Sequence, residues 1–138
     1  MILIDSNVLI DILDRDPRWF DWSFARLEDA TAMGSVFINP VVVAEIAPQY
    51  GDLDDFMIRM VAMVIGFEVL DARAAFNAGC AFQKYRRMRP GDTPKAIVAD
   101  FLIGGHAQSV GATILTRDPR FYRSYFPGVP LITPSKDD

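Results

Sequence analysis

The sequence predicts an α/β fold in one domain over residues 1–138, with a central parallel sheet of four to five strands flanked by helices. Three observations carry that expectation. Short β-branched runs alternate with longer helical segments, the pattern of βαβ units. Each of the first four runs passes straight into residues that start helices. The 138 residues are 51% hydrophobic, which suits a single domain with a substantial core.

The elements follow in order. Ile2-Leu3-Ile4 reads as a buried strand, and Asp5-Ser6-Asn7 starts a helix over Ser6–Leu13. A second helix over Pro17–Ala30 carries Trp19, Phe20, Trp22, Phe24 and Leu27. Val36–Ile38 is the next strand, and Asn39-Pro40 opens a helix reaching Ala47. Leu53–Ile65 is helical, with Met57, Met60 and Met63 three apart. Phe67–Leu70 reads as a buried strand, and Asp71-Ala72 starts a helix to Met88. After the turn Arg89-Pro90-Gly91-Asp92, Thr93 is the expected cap and Pro94 the first residue of a helix running to Val110, closed by Gly111. Thr113–Thr116 is the fourth strand, followed by the start signal Asp118-Pro119. Pro130-Leu131-Ile132 is a weaker fifth, placed at an edge by its proline. Gly104-Gly105 interrupts the Asp100 helix at a cost of about 1 kcal/mol per glycine relative to alanine. A close helix–sheet or helix–helix approach is the simplest compensation.

Composition narrows the partners. The net charge of −4 argues against a nucleic-acid ligand until it is divided. Residues 1–70 hold 12 acids and 4 bases, whereas residues 71–138 hold 6 acids and 10 bases. Lys84, Arg86, Arg87, Arg89 and Lys95 crowd one stretch, and Arg117, Arg120 and Arg123 crowd another beside Asp118. That asymmetry permits an anionic partner on one face; solvated helix ends account for it equally well. The single cysteine, Cys80, permits no internal disulfide and fits a reducing compartment. No basic region precedes the short apolar start, and the stretch Phe56–Leu70 is too short to span a bilayer, so a cytoplasmic protein without a membrane role is expected.

Four acids stand at strand-to-helix transitions or one to two turns into the following helix: Asp5, Glu45, Asp100 and Asp118. Capping, worth about 1 kcal/mol, accounts for Asp5 and Asp118 taken singly, and is the role assigned to Asp71. Asp100 lies seven residues after Thr93, too deep to cap, among Ile97, Ala99, Phe101, Leu102 and Ile103. Glu45 is similarly set among Val41, Val42, Val43 and Ile46. A buried carboxylate needs a cation or a metal. A structural salt bridge is the alternative for either. Carboxylates gathered at the carboxyl end of a parallel sheet suit Mg²⁺ or Mn²⁺, which carry phosphoryl-transfer chemistry without a histidine or cysteine nucleophile. Ser6, Asn7 and Thr116 lie beside the acids, placed to orient carboxylates or water.

These segments resemble a family. Asp5-Ser6-Asn7-Val8-Leu9-Ile10, the isolated Glu45 after Pro40-Val41-Val42-Val43-Ala44, Ala99-Asp100-Phe101-Leu102-Ile103-Gly104-Gly105-His106-Ala107, and Gly111-Ala112-Thr113-Ile114-Leu115-Thr116-Arg117-Asp118 resemble the PIN-domain ribonucleases, and most nearly the VapC toxins of VapBC toxin–antitoxin systems. The resemblance runs from Met1 to about Ile132. It implies a PIN-like three-layer α/β fold and an endoribonuclease dependent on Mg²⁺ or Mn²⁺. By motif, Asp5, Glu45, Asp100 and Asp118 take the acidic metal positions, with Thr116 the hydroxyl near the last acid. Ser6 replaces the threonine commonly seen after the first aspartate and keeps the hydroxyl. Ser6, Asn7, Arg86, Arg87 and Arg117 are the candidates for contact with RNA, tRNA or another structured RNA. A homodimer inhibited by a VapB-like antitoxin is also implied. The surplus of apolar side chains on the Trp19–Phe24 and Met57–Ile65 segments supports a partner or self-association independently.

Two other readings compete. A catalytically silent module would bind an antitoxin-like protein or RNA without hydrolysing it. A phosphate-accepting receiver domain would carry a lysine on a late strand end, and neither Thr113–Thr116 nor Leu131–Ile132 supplies one. His106, six residues after Asp100, points to another side of its helix and is expected to pack with a hydrogen bond. Cys80 is expected to be buried, and Phe76, Phe82 and Tyr85 to join the core.

Overall fold

The computed structural model describes residues 1–94 and 96–138. Five strands, β1 (Ile2–Ile4), β2 (Val36–Ile38), β3 (Gly66–Phe67), β4 (Thr113–Leu115) and β5 (Leu131–Ile132), form one sheet in the order β3-β2-β1-β4-β5. Every neighbouring pair is parallel. Among the described residues seven α-helices flank it: α1 (Ser6–Leu13), α2 (Phe20–Met33), α3 (Pro40–Ile46), α4 (Leu53–Ala62), α5 (Ala72–Met88), α6 (Ala96–Val110) and α7 (Arg120–Tyr125). β1, β2 and most of β4 are buried, as the unbroken aliphatic runs require of a sheet covered on both faces. Leu3, Ile4, Leu9, Ile38, Ile46, Ile103, Ile114 and Leu115 are among the fully enclosed side chains.

Parallel pairing sends the chain out of β1, β2 and β4 at one end of the sheet. From β1 the chain builds outward through β2 and β3, then returns to the other side of β1 with β4. The strand order therefore reverses between β1 and β4, where open α/β sheets place their ligand crevices.

Several boundaries differ from expectation. The buried strand expected at Phe67–Leu70 is the two-residue edge strand β3, and Val69 is 80% exposed. Leu70 belongs to the approach to Asp71, whose side chain accepts the Ala74 N–H at 3.0 Å and caps α5. α2 begins at Phe20, not Pro17, because Asp16 Oδ1 takes the N–H groups of Arg18 and Trp19 in a preceding turn. α4 ends at Ala62 with Val64 left-handed at φ 60°, an unfavourable place for a β-branched residue. The reversal turns Ile65 inward, and its N–H reaches Met60 O at 2.9 Å in a Schellman-type closure. α6 is described from Ala96; Thr93 and Pro94 stand before it, and Lys95 lies outside the described residues. Cys80 and Phe76 are corrections: both are exposed on the outer face of α5, whereas Phe82 and Tyr85 on the inner face pack with Phe101.

The paired glycines answer two close approaches, Gly105 to the backbone of α5 and Gly104 to Phe126 at the end of α7. A Cβ on Gly105 would lie 2.6 Å from Ala74 O and 2.7 Å from Ala78 N, both backbone atoms. One on Gly104 would enter the ring of Phe126. Gly105→Ala is therefore expected to destabilise the fold by about 1–3 kcal/mol through overpacking, read as a lower urea midpoint at unchanged slope. An unchanged midpoint would mean that the two helices separate freely.

Candidate functional site

The crevice at the β1–β4 reversal is lined by Asp5, Ser6, Asn7, Asp100, Asp118, Phe121 and Tyr122, and encloses about 170 Å³. Asp5 forms its floor. It follows β1 directly, and its backbone N–H continues the ladder to Leu115 O at 2.9 Å. It occupies the cap position of α1, yet its side chain makes no cap bond. Instead Oδ2 accepts hydrogen bonds from Thr116 Oγ1 at 2.9 Å, Tyr122 Oη at 3.0 Å and Asn7 Nδ2 at 3.3 Å. Asp118 does not cap either: the cap position of α7 is Pro119, without a side-chain bond. Capping thus fails for the two acids it could have explained, while Asn39, Asp52 and Asp71 do cap their helices.

Asp100 reaches the crevice from α6. It is partly exposed, not enclosed as its sequence neighbours imply, because its side chain stands at the mouth while Phe101 and Ile103 face the core. Burial, then the charges of Asp5, Glu45 and Asp118, push its pKa up to about 7, and no cation or hydrogen bond among the described residues offsets them. Glu45 is more open still; α3 turns Val42 and Ile46 inward and leaves Glu45 at the rim. Its Oε1 accepts from Ser6 Oγ at 2.9 Å. Desolvation and the nearby Asp5 charge raise its pKa against that bond. Asp5 is also raised, by burial, with Thr116 and Tyr122 opposing. Asp118 is exposed, 3.5 Å from the exposed Arg120 Nε, a contact of little strength.

The hydroxyl and amide beside the acids form a brace. Asn7 Nδ2 also approaches Thr116 Oγ1 at 3.2 Å, while Asn7 Oδ1 accepts the Arg117 N–H at 3.3 Å. Thr116 Oγ1 accepts the Asp118 N–H at 3.1 Å. Thr116, fully buried, thereby ties the segment after β4 to Asp5.

The basic candidates are placed differently. The Arg117 guanidinium lies on Asp11, with Nε 2.7 Å from Oδ2. Arg86 and Arg87 stand in the last turn of α5 and, with Gln83 and Arg89, line a separate hollow. His106 is buried and makes the expected packing contact: Asn39 Oδ1 is taken by the Val42 N–H, so Asn39 Nδ2 faces His106 Nδ1 at 3.1 Å and donates to it.

Two residues escape the sequence reading. Tyr122, in contact with Asp5, carries no local signal. Asp11 does: like Asp100, it is a lone acid in an apolar helix, between Ile10 and Ile12. It is 1% exposed and satisfied by Arg117 and by Ser23 Oγ at 2.9 Å.

The donors suit a hard divalent cation. All are oxygens, and Asp100 is loaded with the charge of three other acids and has no compensating base among the described residues. Among the described residues no three acidic, histidine or cysteine side chains already stand in metal-holding geometry. Asp5 is held by three donors, whereas Asp100 is partly exposed and Glu45 and Asp118 are exposed.

Comparison with known proteins matches the PIN domain to residues 2–127. Among solved structures, VapBC2 from Rickettsia felis, bound to a DNA fragment from their promoter, is similar with a TM-score of 0.72 at 17% identity, over 98% of this chain and 100% of that one. DNA-bound VapBC from Salmonella typhimurium gives 0.68 at 20% identity over 96% of each chain. FitAcB from Neisseria gonorrhoeae gives 0.64 at 21% identity, again over 96% of each. These likenesses establish a shared fold. No curated protein matches by sequence.

Proposed function

Because the chain belongs to the PIN-domain family, we propose that it is a Mg²⁺- or Mn²⁺-dependent endoribonuclease, the toxin of a toxin–antitoxin pair. The observation that supports this most is Asp100, whose charge is opposed by Asp5, Glu45 and Asp118 together and balanced by no cation among the described residues. Four carboxylates that repel one another at a sheet's switch point are costly unless a cation joins them.

Asp5, Glu45, Asp100 and Asp118 would hold the ion. A divalent cation there would supply positive charge to a phosphodiester and would acidify a bound water. Thr116 and Asn7 keep the Asp5 carboxylate in place, and Ser6 orients Glu45. Asp100, whose pKa burial and the neighbouring acids push up to about 7, would release its proton in holding the cation. Arg86 and Arg87 provide exposed positive charge for an RNA backbone.

A VapB-like antitoxin and a second copy of the chain are the proposed protein partners. VapBC assemblies are among the similar structures, and α4 leaves Leu53, Ile58 and Val61 each more than two-thirds exposed. That is more apolar surface on one helix than solvent contact favours. No described helix is long and apolar enough to cross a membrane.

The test is cleavage of structured RNA, tRNA first, with Mn²⁺ or Mg²⁺ and with chelator. Asp5→Asn is expected to slow cleavage by at least roughly 100-fold with an unchanged circular dichroism spectrum. Undiminished cleavage in chelator would reject the metal requirement. RNA binding without hydrolysis in any metal would identify a silent module.

A further inference from the structure

A phenol stands against the acids. Tyr122 in α7 is 1% exposed, and its Oη donates to Asp5 Oδ2 at 3.0 Å across 117 residues of sequence. Its ring packs against Phe121, with centroids 5.3 Å apart, in an aromatic cluster that a phenylalanine would fill equally well. The hydroxyl therefore adds nothing to packing, and burying it is favourable only with a partner. Among the described residues that partner is Asp5.

The bonds divide the two oxygens of Asp5. Oδ2 receives Thr116, Tyr122 and Asn7, which arrive from the end of β4, from α7 and from α1. Oδ1 is approached by Ser6 Oγ at 3.4 Å. That hydroxyl has a single proton, and the 2.9 Å bond to Glu45 claims it. Three donors use up the accepting capacity of Oδ2, while Oδ1 keeps lone pairs to offer. Donors from three separate elements also fix the plane of the carboxylate, which a single donor would leave free to swing.

We propose that Tyr122 is a positioning residue: with Thr116 and Asn7 it commits Asp5 Oδ2 to the protein, so that Asp5 offers a cation one oxygen only, Oδ1. This rests on the metal reading above. Outer donors of this kind typically govern metal affinity by about 10–100-fold.

The experiment measures Mn²⁺ binding by calorimetry and by the Mn²⁺ paramagnetic resonance signal, without RNA. Tyr122→Phe is expected to weaken Mn²⁺ binding by about 10-fold or more, whereas Tyr125→Phe, one turn along α7, leaves it unchanged. Equal affinity in Tyr122→Phe and the unaltered protein overturns the positioning role and leaves the metal site standing. No Mn²⁺ binding by the unaltered protein overturns both. Should Tyr122→Phe fail to fold, a crystal structure of the unaltered protein with Mn²⁺ decides: coordination through Oδ1 alone, with Tyr122 Oη still on Oδ2, supports the role. Two-oxygen coordination by Asp5, or a phenol moved out of bonding distance, overturns it.

Discussion

Asp100→Asn is expected to abolish RNA cleavage while making the metal-free protein more stable at neutral pH. The two effects share a cause. Burial and the charges of Asp5, Glu45 and Asp118 raise the Asp100 pKa from the ordinary 3.8 to about 7. Between those values the folded state binds a proton that the unfolded chain has released. Stability therefore falls as pH rises through that window, and above about 7 the full penalty persists. An amide keeps the shape and removes the charge, so the fall shrinks. The melting temperature without metal should decline from pH 4 to pH 7 in the unaltered protein and decline less in Asp100→Asn. Each kcal/mol of relief raises it by about 4 °C. Mn²⁺ should raise the melting temperature of the unaltered protein, and more at pH 8 than at pH 5, because the cation competes with protons. An Asp100→Asn protein less stable than the original at pH 8 without metal would reveal a stabilising partner for that carboxylate and undo the repulsion argument.

The sequence makes some of this legible and hides the rest for identifiable reasons. The aliphatic runs Ile2–Ile4, Val36–Ile38 and Thr113–Leu115 are found because buried parallel strands need apolar side chains on both faces. β3 is misjudged because an edge strand of two residues carries too little pattern, and the apolar residues after Phe67 face solvent. Asp5, Asp100 and Asp118 stand out by position and line one crevice. Their degree of enclosure does not follow from neighbours along the chain. Glu45 lies among valines in sequence, but on a helix rim those valines point elsewhere. The lone-acid criterion also fits Asp11, which the fold satisfies with an arginine 106 residues away. Local sequence cannot separate an acid held for a cation from an acid already paired, because the partner is set by the topology. Tyr122 is invisible for the same reason: its only mark is a bond to the opposite end of the chain.

Arg117 makes that distinction testable. Its Nε lies 2.7 Å from Asp11 Oδ2, with the aspartate side chain 2% exposed and the arginine 31%. The pair is unequal. Remove the aspartate, and the guanidinium can turn toward water. Remove the arginine, and a buried carboxylate keeps Ser23 as its one side-chain partner among the described residues. Arg117→Met, which keeps the stem, is therefore expected to cost about 3 kcal/mol, the lower end for breaking a buried pair. Asp11→Asn should cost less. Combining them should recover most of the loss, since neither charge remains. Urea midpoints of the three variants measure this, and additive losses in the double variant would show that the pair is not coupled. The double variant also separates two roles for Arg117. Its backbone lies between Thr116 and Asp118, and its N–H reaches Asn7 Oδ1, so loosening it disturbs the acids indirectly. If cleavage returns along with stability in the double variant, the guanidinium serves to hold this segment. If stability returns and cleavage does not, the positive charge itself acts on the RNA.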